Sequence, residues 1–224
     1  MRYALLELLN DVLVALVLFA SAGTIAWPRG WILLGALLLV HTLGTLSIYR
    51  VSPALLEDRA RFPVRRDQTG LDRFLLPAFM LSYAVVVAID GFDAIRLHLL
   101  GSPNHVVAGI GLAMVVLGWC LVMVTLRTNA FATTVVRYQP DRGHSVVDTG
   151  VYAYVRHPMY AGLIVGIAGM GLWLGSTAGA VAAILPAAIL AVRLVVEENV
   201  LVNNLDGYKD YTARVRYRLI PGLW

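Results

Sequence analysis

From His105 to Leu126 the chain runs twenty-two residues without a single Asp, Glu, Lys or Arg. As an α-helix at about 1.5 Å per residue, such a run is about 33 Å long, enough to cross the roughly 30 Å hydrocarbon core of a bilayer. A water-soluble domain has little use for a segment of this kind, and the composition shows that it is not isolated. Apolar residues make up 59% of the 224 residues and charged residues 14%. Average soluble domains hold about 45–50% and about 25%. A chain of this size has too little interior to hide that much apolar surface from water. Disorder is excluded by the same balance. The single cysteine, Cys120, excludes a disulfide framework and any multi-cysteine metal site.

Five further apolar segments flank the first. They run from about Ala4 to Trp27, Trp31 to Ile48, Phe74 to Ile89, Met159 to Leu174 and Thr177 to Val196. Trp27-Pro-Arg-Gly30 reads as a tight turn, Ser52-Pro53 and Pro63 break the charged stretch 49–73, and 90–104 is a polar connection. The first segment carries Glu7 and Asp11 and exceeds the apolar length of a signal peptide, so it is expected to be a retained helix. The fold class follows: an all-α, polytopic transmembrane bundle of five to six spanning helices. Two units are expected, four N-terminal segments in 1–126 and a C-terminal core in 127–224 built on the hairpin 159–196.

The net charge of +4 raises nucleic acid as a partner, but no basic stripe interleaved with exposed aromatics is present. Basic placement instead gives orientation. With a cytoplasmic N-terminus, six crossings put sixteen of the eighteen Lys and Arg residues inside and only Arg29 and Arg96 outside. That asymmetry is the positive-inside bias, and it predicts N-in, C-in in a cytoplasmic or inner membrane. Gly162-x-x-x-Gly166 and Gly171-x-x-x-Gly175 are spacings that let helices approach closely. Gly109-Ile-Gly111 lacks the preceding strand of a dinucleotide fingerprint.

Polar residues gather in Thr128–Tyr160 and from Arg193 onward, two stretches that the hairpin brings to one membrane face. In Arg156-His157-Pro158-Met159-Tyr160 the proline suits a first helical turn and pushes His157 away from helical dihedrals. Such a cluster also anchors helix ends in proteins without an active site. Arg193 stands four residues before Glu197, close enough to pair along a helix, and a charge in an apolar segment is expensive and usually functional. The carboxylates Glu197 and Glu198 suit a cationic ligand. Tyr208 to Pro221 mixes aromatics with cations, as membrane surfaces favour. The five histidines have no metal-ligand spacing, and no serine-hydrolase elbow, zinc-protease motif or phosphate loop occurs, so no metal is expected.

In order, His144-Ser-Val-Val-Asp-Thr-Gly150-Val-Tyr152, Arg156-His157-Pro158-Met159-Tyr160, Glu197-Glu198, Tyr208-Lys-Asp-Tyr211 and Arg218-Leu-Ile-Pro221 resemble the isoprenylcysteine carboxyl methyltransferase family, a relative of the membrane phospholipid methyltransferases. The resemblance covers roughly residues 125–224. It implies a membrane methyltransferase with an S-adenosylmethionine pocket facing the cytoplasm and a lipidic or isoprenoid acceptor arriving from the bilayer. Carried over, His144, Ser145, Val146, Val147, Tyr152, His157, Pro158, Met159, Tyr160, Glu197 and Glu198 would contact the cofactor. Arg193 would bind the acceptor, and with Glu197 would form the catalytic pair. Arg137 stands where relatives offer a glutamine. A carboxylate acceptor is favoured, being ionised at neutral pH without a base. A phospholipid amine, a small thiol, or a non-catalytic lipid-binding or transport protein are the alternatives.

Overall fold

The computed structural model describes residues 2–61 and 68–224, so Pro63, Arg65 and Arg66 of the first charged loop lie outside it. Apolar runs become helices because only a helix satisfies every backbone N–H and C=O within one segment in lipid. Nine helices form among the described residues: α1 (Arg2–Ala22), α2 (Pro28–Tyr49), α3 (Pro53–Arg59), α4 (Asp72–Phe92), α5 (His105–Thr128), α6 (Pro158–Leu174), α7 (Thr177–Ala182), α8 (Ile184–Asn204) and α9 (Tyr208–Arg214). Five apolar stretches, with Asp72–Leu97 and Thr177–Asn204 each counted once, are long enough to span a bilayer, and α6 is a shorter apolar helix of 17 residues. Side chains such as Leu5, Phe74 and Leu117 point outward at 66–74% exposure, as lipid-facing residues do. The protein is an integral membrane protein.

Helix ends differ from the apolar runs in instructive ways. The third segment starts earlier, at Asp72, and continues through a wider turn to Leu97, so part of the expected polar connection 90–104 is helical. The last segment continues to Asn204, past Glu197 and Glu198. Asp72 and Asp93 in the former, and Glu197 and Glu198 in the latter, find hydrogen-bond partners inside the protein, which hydropathy does not register.

The tightest packing joins α5 and α6. Gly111 faces Gly169 and Gly118 faces Gly162, so the two helices run antiparallel with backbones in contact. A Cβ on Gly118 would lie 2.5 Å from the Gly162 carbonyl, and one on Gly169 would lie 2.6 Å from that of Gly111. At its end, α6 is stopped by Gly175 at φ 98°, a left-handed cap, and Ser176 caps α7. Buried polar contacts cross the bundle elsewhere. His41 Nδ1 lies 3.0 Å from Asp11 Oδ1, joining α1 to α2 beside a Thr45–Glu7 hydrogen bond. Toward the opposite end, Asp93 accepts from Ser176 Oγ at 2.7 Å and from the Leu99 N–H at 2.7 Å.

Candidate active site

The start of α6, the end of α8, α9 and the loop 129–149 meet at one end of the bundle around a shared cavity. Proline at the first position of α6 leaves His157 outside helical dihedrals, at φ −127°, ψ 61°. The C-terminal tail locks that stretch: the Arg156 and His157 N–H groups donate to the Tyr217 and Arg218 carbonyls at 3.0 and 2.9 Å.

Tyr160 stacks on His157 with centroids 5.6 Å apart and donates its hydroxyl to Glu197 Oε2 at 2.6 Å. The Arg193 guanidinium lies over the Tyr160 ring, 5.8 Å from its centroid. Glu197 keeps 30% of its side chain exposed, whereas Glu198 is buried and accepts from Arg156 at 3.0 Å and Arg218 at 2.8 Å, with His157 Nε2 at 3.3 Å. Adjacent carboxylates therefore divide the work: Glu197 faces the cavity, and Glu198 ties the tail to α6 and α8.

Of the sequence-derived residues, His144, Ser145, Val146, Val147, Tyr152, His157, Met159, Tyr160, Arg193 and Glu197 all line the cavity. Pro158 and Glu198 do not. Pro158 shapes the backbone, and Glu198 sits behind His157. The pairing expected between Arg193 and Glu197 does not form. Arg193 instead donates from Nε to Asp72 Oδ1 at 2.6 Å and from Nη2 to the Thr134 carbonyl at 2.6 Å. Tyr160 has taken Glu197, and a buried carboxylate from another helix offers the arginine better geometry.

The loop wall is aromatic. His144 lies between Phe131, at 4.6 Å, and Tyr138, at 5.8 Å, and its Nδ1 is buried without a hydrogen-bond partner. Burial among these groups lowers the His144 pKa below its ordinary value of 6.5, with Glu197 opposing and Arg142 and Arg137 adding to the shift. Tyr152 accepts from Asn129 Nδ2 at 3.0 Å and its carbonyl accepts the Tyr211 hydroxyl at 2.8 Å. Burial raises the pKa values of Tyr152, Tyr208 and Tyr211 above their usual range, so all three stay neutral donors.

Residues absent from the motifs complete the frame. Asp72 is fully buried and accepts from Gln68 at 2.7 Å and the Val136 N–H at 2.9 Å. Arg137 pairs with Asp58 at 3.0 Å, and Arg59 donates to the Ala132 carbonyl at 2.8 Å. The one sequence signal for Asp72 was its place at the start of an apolar run.

Residues 106–206 match the phospholipid methyltransferase family. The chain is an integral membrane methyltransferase. Its structure is similar to that of the eukaryotic intramembrane Ras methyltransferase, isoprenylcysteine carboxyl methyltransferase, solved without a monobody. The two share 20% identity at a TM-score of 0.57, over 95% of this chain and 73% of that one. At that identity the likeness is one of fold. No curated protein sequence matches the methyltransferase. Enzymes of these families use S-adenosylmethionine. The family match ends at Asp206, so Tyr208, Tyr211 and Arg218 join the frame of the cavity from beyond it, as Asp58, Arg59 and Asp72 do from before it.

Proposed function

We propose that the cavity binds S-adenosylmethionine on the cytoplasmic side, in an N-in, C-in topology, and serves methyl transfer to a lipidic or isoprenoid-linked acceptor, with a carboxylate favoured. The observation that carries this reading is one wall shared by opposite charges. The Glu197 carboxylate and the Arg193 guanidinium flank Tyr160 and line the same cavity. The donor set suits the cofactor. Glu197 offers a charge-assisted hydrogen bond to an ammonium or ribose hydroxyl, and the unpartnered His144 Nδ1 and the loop aromatics offer a planar, polar-edged surface. His144, Ser145, Val146, Val147, Tyr152, His157, Met159 and Tyr160 would complete the contacts, while Pro158 and Glu198 would hold His157 in place.

When bound, the cofactor supplies an activated methyl group whose S–CH₃ bond breaks as the acceptor's bond to carbon forms, the electron pair leaving with sulfur. The protein's part is positioning and exclusion of water. Arg193 Nη1 makes no hydrogen bond among the described residues, and Nε and Nη2 are already committed. It is the atom that would receive an anionic acceptor. Glu197 is engaged by the Tyr160 hydroxyl, which leaves a carboxylate acceptor, needing no base, as the simplest fit. Calorimetry with S-adenosylhomocysteine tests the cofactor half. Glu197→Ala is expected to weaken binding about 10–100-fold, the loss of a hydrogen bond to a charged group. Unchanged affinity in both Glu197→Ala and His157→Ala refutes it. Mass spectrometry of lipids methylated by the purified protein tests the acceptor half.

A further inference from the structure

Asp72 is the first residue of α4 and belongs to no motif of the methyltransferase match, yet it is 0% exposed at the back of the cavity wall. Its two oxygens take hydrogen bonds from three parts of the chain. Arg193 of α8 donates from Nε at 2.6 Å to Oδ1, while Gln68 at 2.7 Å and the Val136 N–H at 2.9 Å donate to Oδ2. Its place in the first turn of a helix, where free N–H groups and the helix dipole favour a negative charge, holds it ionised and oriented. Opposite, the Thr134 carbonyl takes Arg193 Nη2 at 2.6 Å. Two of the three guanidinium nitrogens are thereby fixed by groups 121 and 59 positions away, and the plane of the guanidinium is set. A planar fork held at Nε and Nη2 has one direction left for Nη1.

We infer that Asp72 is a positioning residue for methyl transfer: it acts through Arg193, aiming Nη1 at the acceptor and cancelling the buried charge when the acceptor is absent. This rests on the reading of Arg193 as the acceptor's partner. The Tyr160 hydroxyl already engages the Glu197 carboxylate, so Arg193 is held by Asp72 and not by its neighbour four residues along the same helix. The same carboxylate bonds the Val136 N–H, so the loop carrying the cofactor wall and the helix carrying Arg193 share a single anchor.

The test is a double-mutant cycle on full-length protein, using tritiated S-adenosylmethionine and two acceptors in mixed micelles, phosphatidylethanolamine and N-acetyl-S-farnesylcysteine. Asp72→Asn is expected to lower kcat/KM for the methylated acceptor by about tenfold or more, since small misplacements near the reacting atoms cost up to about 10²-fold. Its affinity for S-adenosylhomocysteine should stay within about threefold of wild type, and Asp72→Asn combined with Arg193→Gln should be no slower than Arg193→Gln alone. Additive losses, or a loss of S-adenosylhomocysteine affinity as large as the loss of rate, overturn the proposal in favour of a merely structural role. A second readout is independent of the acceptor. In ¹⁵N-arginine-labelled protein the Arg193 Nε–H signal, identified by its absence in Arg193→Gln, must move in Asp72→Asn, and an unmoved signal overturns the coupling. If wild type methylates neither acceptor, or Arg193→Gln leaves acceptor kinetics unchanged, the acceptor reading fails while this spectrum still decides whether Asp72 holds Arg193.

Discussion

The glycine seam between α5 and α6 allows a quantitative prediction. A Cβ placed on Gly162 would meet the Gly118 carbonyl oxygen at 2.5 Å, Val122 Cγ2 at 3.1 Å and Leu121 Cβ at 3.3 Å, against 3.4–4 Å for ordinary contact. Backbone cannot rotate away as a flexible side chain can. Gly162→Ala therefore has to part the helices by about 0.9 Å, the shortfall between 2.5 and 3.4 Å. Overpacking of this kind typically destabilises by about 1–3 kcal/mol, which for a chain of this length lowers Tm by roughly 2–12 °C. Gly109, on the facing helix α5, supplies the control, since nothing lies within 4 Å of its added Cβ. Gly109→Ala should melt at or slightly above the wild-type temperature, because alanine is the better helix former by about 1 kcal/mol. The assay is thermal unfolding in detergent followed by tryptophan fluorescence, with calorimetry on S-adenosylhomocysteine alongside. Tyr160 and His157 lie within two turns of Gly162 on α6, so the cofactor affinity should fall with the melting temperature. A Gly162→Ala protein that melts within about 1 °C of wild type, or a Gly109→Ala protein that loses as much, would refute the claim that backbone contact sets the helix separation.

Three shorter predictions follow. Asp11→Leu should destabilise strongly, by about 3–5 kcal/mol, by stranding His41 in the bundle, whereas Asp11→Leu with His41→Leu should recover most of the loss in the same melting assay. Tyr211→Phe should lower stability by about 1–3 kcal/mol, because the buried Tyr152 carbonyl loses its donor. The His144 pKa is depressed in the folded protein, so above 6.5 neither state carries the charge. As pH falls through 6.5 the unfolded chain takes up the proton first, and stability declines; His144→Gln should flatten that decline in melts between about pH 7 and pH 5.

Much of the bundle was legible because lipid leaves a long apolar run few alternatives to a helix. The motif residues around Pro158 and Glu197 were legible as well, since backbone restriction and charge in an apolar segment are local properties. What escaped was pairing across the fold. Spacing of four along α8 suggested Arg193 with Glu197, but spacing states only which groups share a helix face, not which competitor stands opposite. Asp72 lies 121 positions from Arg193, and Asp11 lies 30 from His41, with no local pattern linking either pair. For the same reason no local pattern announces that α3 and α4, which precede residue 126, hydrogen-bond to the loop 129–137 that follows it.

That crossing has a consequence for modularity. The stretch recognisable by family, residues 106–206, is a unit of inheritance but not a unit of assembly. Excised, it would carry Arg193 and Arg137 without Asp72 and Asp58, and Glu198 without Arg218. Arg193 would lose the buried carboxylate that pairs with it, and Glu198 would be left with Arg156 and His157. Grafting this stretch onto another set of N-terminal helices would therefore require the new helices to bring a carboxylate to the same corner.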